Sequence, residues 1–99
     1  MIQEYMFSDP EQLKEAAAFS KADTGSCRTL AGVWSVARRK GYKTWDGKIG
    51  ARFETNGAAR RAFIFKTEGE KRREVCEIKY TPAIRWCRDK LTAQANPDH

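Results

Sequence analysis

The sequence predicts an α+β fold, a single small domain with helices packed on one face of an antiparallel sheet of three to four strands, in the order β-α-α-β-β-β-α. Three observations predict it. Apolar residues recur at helical spacing in two stretches before residue 41 and one after residue 80. The segment between them alternates at strand spacing, and it is punctuated by the dipeptides Asp46-Gly47 and Asn56-Gly57, both hairpin signals. At 99 residues the chain has material for one core, expected over residues 1–95 with 96–99 a frayed tail.

The elements follow in order. Ile2–Phe7 alternates as a short strand. Ser8-Asp9-Pro10-Glu11 opens a helix: Asp9 caps free amides, Pro10 suits the first turn and Glu11 the positive dipole end. That helix is expected to reach Ala22 and to bury Leu13, Ala16, Ala17 and Phe19. After a break at Asp23–Ser26, Cys27–Lys40 forms a second helix with Leu30, Val33, Trp34 and Ala37 as its inward stripe and Gly41 as its stop. Strands are expected at Lys48–Thr55, Arg60–Lys66 and Glu74–Tyr80, with Thr67–Arg73 a polar turn. Thr81-Pro82 starts the last helix, which runs to Ala95 with Ile84, Cys87 and Leu91 inward.

Charge is unevenly spread. Arg38, Arg39, Lys40, Lys43, Lys48, Arg52, Arg60 and Arg61 face only Asp46 and Glu54 within one short stretch, a surplus of six that equals the net charge of the chain. Tyr42, Trp45, Phe53, Phe63 and Phe65 sit in or beside it. Cations neutralise phosphates and flat rings stack on bases, so this composition suits a polyanion-binding surface.

On the second helix, Arg28, Gly32, Ser35 and Arg39 share a face opposite the expected stripe. Small residues there permit close approach, and the arginines can grip phosphates; an ordinary solvated face explains the same pattern. Tyr42, Lys43, Trp45 and Lys48 can form a wing that touches backbone or bases, or the two rings can close the edge of the core. Arg52, Arg60 and Arg61 can gather near the main hairpin or merely keep a strand edge soluble. Phe63 and Phe65 share a face and are expected in the core. Trp86 lies roughly 200° around its helix from Ile84, flanked by Arg85, Arg88 and Lys90. It is either an interface anchor, with Arg85 and Lys90 beside it, or internal packing.

Several classes lack support. Cys27, Cys76 and Cys87 form no Cys-x-x-Cys pair and are expected as buried free thiols. The sole histidine is the terminal His99, phosphate-binding and nucleophile-elbow motifs are absent, and no enzyme activity, cofactor or metal is expected. No apolar run suits a membrane span, and MIQEYMFSDP does not read as a signal peptide, so a cytoplasmic protein is expected.

The run from Thr29 to Lys66, a helix ending ARRKGYKTWDGKIGARFE and then RAFIFK, resembles small basic proteins encoded by phages and prophages. The resemblance implies an accessory protein that binds DNA or disables a host factor. The leading expectation is a nucleic-acid-binding protein, with DNA ahead of RNA, acting as a monomer or homodimer. The alternative is an inhibitor or modulator of a host protein complex, such as a nuclease or defence machine.

Overall fold

A computed structural model describes residues 1–21, 26–41 and 45–95, with side chains as far as Leu91. The order is β1 (Ile2–Met6), α1 (Pro10–Ala17), α2 (Ser26–Arg39), β2 (Ile49–Asn56), β3 (Ala59–Glu68), β4 (Lys71–Ile78) and α3 (Tyr80–Ala95). The four strands form one antiparallel meander, β1-β2-β3-β4. This is the expected α+β architecture and element order.

Local chemistry sets the boundaries. The Asp9 carboxylate accepts the Gln12 N–H at 3.0 Å, while the Gln12 side-chain oxygen accepts the Ser8 N–H at 2.6 Å, a reciprocal cap that explains why Gln12 is buried. Residues Gly57 and Ala58 close the β2–β3 hairpin. Gly57 has φ +63 and no described non-glycine residue has positive φ, the type II′ pattern that matches strand twist. Gly69 (φ +63) repeats it between β3 and β4, so the polar run expected as a long turn is already strand from Lys71 onwards. Asp46-Gly47 makes no hairpin. The Asp46 carboxylate instead accepts the Lys48 N–H at 3.0 Å and turns the chain into β2.

The core lies between the sheet and the helices. Phe7, Leu13, Ile49, Phe53, Ile64 and Ile78 are fully buried there, each worth about 1.5–3 kcal/mol against exposure. α1 contributes Leu13, Ala16 and Ala17, and α3 contributes Ile84, Cys87 and Leu91, as expected. α1 stops at Ala17 rather than Ala22, and Ala22 lies outside the described residues. The chain then pairs Ser20 with Ile78, covering the end of β4.

α2 is turned part of the way from its expected orientation: Leu30 and Trp34 pack against the core as expected, and Val33 does not. Cys27 and Ala31 are its buried residues, whereas Val33 is 60% exposed. Hydropathy favours the valine, but tertiary contact favours the cysteine: Cys27 meets Cys76 of β4 with Cα atoms 5.6 Å apart, and the two form a disulfide. The expectation of three free thiols therefore holds for Cys87 alone. The separation of 49 residues hides this contact from any local pattern.

The sheet face without helices has its own buried layer. Phe63 and Phe65 are 6% and 0% exposed, yet they alternate with the core residues Ala62 and Ile64 and lie outside the main core. Gly50 stands opposite Phe65, and an added Cβ there would come within 2.6 Å of the Tyr5 carbonyl oxygen. The glycine thus lets β1 approach β2 closely.

Candidate functional site

The fold separates cations that are adjacent in sequence. Strand alternation sends Arg52 and Arg61 to the helix-free face, where each meets carboxylates. Arg52 lies 2.8 Å from Glu4 and 3.3 Å from Glu54. Arg61 pairs with Glu74, with Glu54 at 3.8 Å and with Glu77 at 3.9 Å. Arg61 lies 4.6 Å over the Phe63 ring, and Arg72 lies 5.6 Å over Phe65. A lattice of alternating charges therefore seals two phenylalanines, and its arginines are already neutralised.

Trp45, one of the rings expected to stack on bases, is engaged as well. Trp45 packs edge-on against Trp34 at 4.9 Å between centroids, and its Nε1 donates to the Phe7 carbonyl at 3.0 Å. It closes the edge of the core. Tyr42 and Lys43 lie outside the described residues. Trp86 sits edge-on between Phe7 (6.0 Å) and Phe19 (6.4 Å) with its Nε1 buried and unpartnered. Internal packing, rather than projection as an anchor, is what these contacts describe. Lys90 is 3.9 Å from Glu15 of α1.

The basic residues of α2 do come together. Arg28, Gly32 and Ser35 face α1 across a cavity of about 380 Å³, with Lys14, Ala17, Ala18 and Ala31 completing its lining. Next to it, Ser35, Arg38 and Arg39 line a cavity of about 460 Å³ with Glu11 and Lys14. Lys14 and Ser35 belong to both, so the two form one groove between the helices. Among the described residues its charged lining is Lys14, Arg28, Arg38 and Arg39 with the acid Glu11, which lies 2.8 Å from Arg38. Lys40 is exposed at the helix end, and Lys48 is exposed in the loop before β2. A Cβ at Gly32 would meet nothing within 4 Å, so this glycine makes no close contact within the chain.

Arg60 points to the other side of the sheet, 5.8 Å over the Tyr80 ring, and joins Arg85 and Arg88 of α3 around a third cavity. Sequence reasoning missed Lys14 and named Arg88 only as a neighbour of Trp86. Lys14 lies in an acidic segment, and only its helical register, once α1 packs on α2, places it in the groove. Arg88 was legible as an i, i+3 partner of Arg85.

Burial pushes the Cys87 thiol up to about 12, which keeps it protonated and unreactive. Among the described residues, no group of three or more His, Cys, Asp or Glu side chains is placed to hold a metal, and no helix is long and apolar enough to cross a membrane. No protein-family model matches the chain, and comparisons with curated proteins and with solved structures found no match.

Proposed function

We propose that the chain binds nucleic acid through the groove between α1 and α2. The observation that carries this reading is the lining of the groove by described residues, Lys14, Arg28, Arg38 and Arg39 with Glu11, which pairs with Arg38, over a floor of Ala17, Ala31 and Gly32. Small floor residues admit a phosphate backbone, and guanidinium groups present paired donors to its oxygens. Lys40, at the open end of α2, extends the cationic surface.

The engaged rings sharpen the reading. Trp45 is held edge-on against Trp34, and Phe63 and Phe65 are buried under their arginines, so these three rings are committed to contacts within the chain. Affinity then rests on phosphate contacts, which favours duplex DNA and tolerance of sequence over stacking on single strands. A modulator of a host protein complex is the weaker reading, because Trp86 is packed between Phe7 and Phe19.

Fluorescence anisotropy with duplex DNA across a salt series tests the proposal. Log affinity should fall with log salt at about −0.9 per phosphate neutralised. Arg39→Ala with Lys40→Ala should flatten that slope by about two contacts' worth while the protein stays folded. A flat salt response, or a double variant that binds like the parent, would overturn it.

A further inference from the structure

We infer that the pocket between the β2–β3 hairpin and the first turns of α3 is a binding site for a phosphate monoester. The pocket has a volume of about 310 Å³, at the small end of ligand sites, and shares no lining residue with the α1–α2 groove. The inference stands whether or not that groove binds nucleic acid.

Three arginines from two elements converge here. Arg60 comes from β3, and Arg85 and Arg88 come from successive turns of α3. No described carboxylate lies within ion-pair distance of any of them, in contrast to Arg38, Arg52, Arg61, Arg72 and Arg73. Three like charges around one cavity repel one another, and an anion in their midst reverses the sign of that interaction. Tyr80 and Thr81 complete the polar lining with Thr55, whose hydroxyl donates to the Met1 carbonyl at 3.3 Å, and Ile84 is the apolar floor. α3 has no acidic residue in its first turn, so the positive end of its dipole is left uncompensated beside the same pocket.

This set matches a compact dianion with several acceptor oxygens. Planar guanidinium forks take two oxygens each, and the Thr81 hydroxyl can donate to a third. A monoester phosphate has that charge and shape, whether it is the end of a nucleic-acid strand or a free nucleotide.

Titration calorimetry with inorganic phosphate, adenosine monophosphate, and one oligonucleotide made with and without a 5′-phosphate tests the site. Inorganic phosphate should bind saturably. Arg85→Gln with Arg88→Gln should weaken it about tenfold or more, as should Arg60→Gln on the sheet. The Arg60 variant leaves the helix sequence intact, so agreement between the two excludes a loss caused by the helix itself. Lys71→Gln with Arg73→Gln, which removes two charges elsewhere, should change binding little. Preference for the phosphorylated over the hydroxyl oligonucleotide assigns a strand end as the source, and preference for the mononucleotide assigns a free nucleotide. Absence of saturable phosphate binding up to roughly 10 mM, or equal losses in the control variant, would overturn the inference.

Discussion

Arg72 Nε lies 3.5 Å from Glu4 Oε2, joining the last strand of the sheet to the first above both central strands. The same guanidinium covers Phe65, and the same carboxylate holds Arg52. A helix-free sheet face is normally solvated; here ion pairs form a lid over an aromatic layer, so the arginine stems and guanidinium planes act as packing material. The face most exposed to aggregation is thereby covered with charge.

Arg72→Ala should therefore cost more than the loss of an ordinary surface cation. Uncovering Phe65 and breaking a partly exposed pair together amount to about 1 kcal/mol. Arg73→Ala removes a more exposed pair with Glu68 on the opposite face and should change stability by under about 0.5 kcal/mol. Urea denaturation of both variants checks the contrast. Equal effects would mean that the lid adds nothing beyond surface pairing.

The disulfide between Cys27 and Cys76 ties α2 to β4. Closing a loop of this separation is worth about 4 kcal/mol in the chain-entropy model, and losses of about 2–5 kcal/mol are usual when a native bond is removed. Cys27→Ser with Cys76→Ser should lose stability in that range, measured by denaturation in the absence of reductant. Thiol titration of the unfolded, unreduced parent should return the single thiol of Cys87; three thiols would refute the bond.

What the sequence revealed was local. The Asp9 cap, the Gly57 turn, and the inward residues Leu13, Ala16, Ile84 and Cys87 each follow from neighbours within a few positions. The charge surplus was equally visible, but its meaning was not. Period-two alternation puts Arg60 and Arg61 on opposite sheet faces, and the acids that neutralise Arg61 and Arg52 include Glu4, Glu74 and Glu77, all outside the basic stretch. Clustering along a chain survives as clustering in space on a helix, as for Arg38 and Arg39, which line one cavity, and is divided on strands. The α2 stripe held at Leu30 and Trp34 and missed at Val33 for a related reason: valine outranks alanine in hydropathy, while the neighbouring α1 and β4 turned Cys27 and Ala31 inward instead.

The rotation of α2 is directly testable. Gly32→Ala fills open space on an exposed helix face and should stabilise the domain by about 0.5–1 kcal/mol. Ala31→Leu forces bulk into the buried face and should cost about 1–3 kcal/mol, whereas Val33→Ala should be nearly neutral. Thermal melts of the three variants should give that order. A severe loss in the Val33 variant would restore the stripe at Leu30, Val33, Trp34 and Ala37.

Trp86 distinguishes packing from display. Its ring contacts with Phe7 and Phe19 predict that Trp86→Ala costs about 3 kcal/mol. Trp86→Phe keeps a ring and removes the unpartnered Nε1, and should cost under about 1.5 kcal/mol. Chemical denaturation separates the two. A neutral alanine variant would show that the ring is held by nothing in its own chain.

Cys87 makes a prediction about alkaline pH. Its thiol is raised from 9.0 to about 12 because burial disfavours the thiolate. Below pH 9 both folded and unfolded chains hold the proton, and the group gives stability no slope. Above pH 9 the unfolded chain releases the proton first, so the folded state binds more protons and stability falls as pH rises toward about 12. The local slope approaches about 1.4 kcal/mol per pH unit. Cys87→Ala removes this component while the lysines and tyrosines common to both proteins continue to titrate. The difference in unfolding free energy between parent and variant should therefore be constant below pH 9 and shift in the variant's favour above it, as read by urea titrations at stepped pH. Parallel curves through that range would mean that the thiol is not shielded in the folded protein.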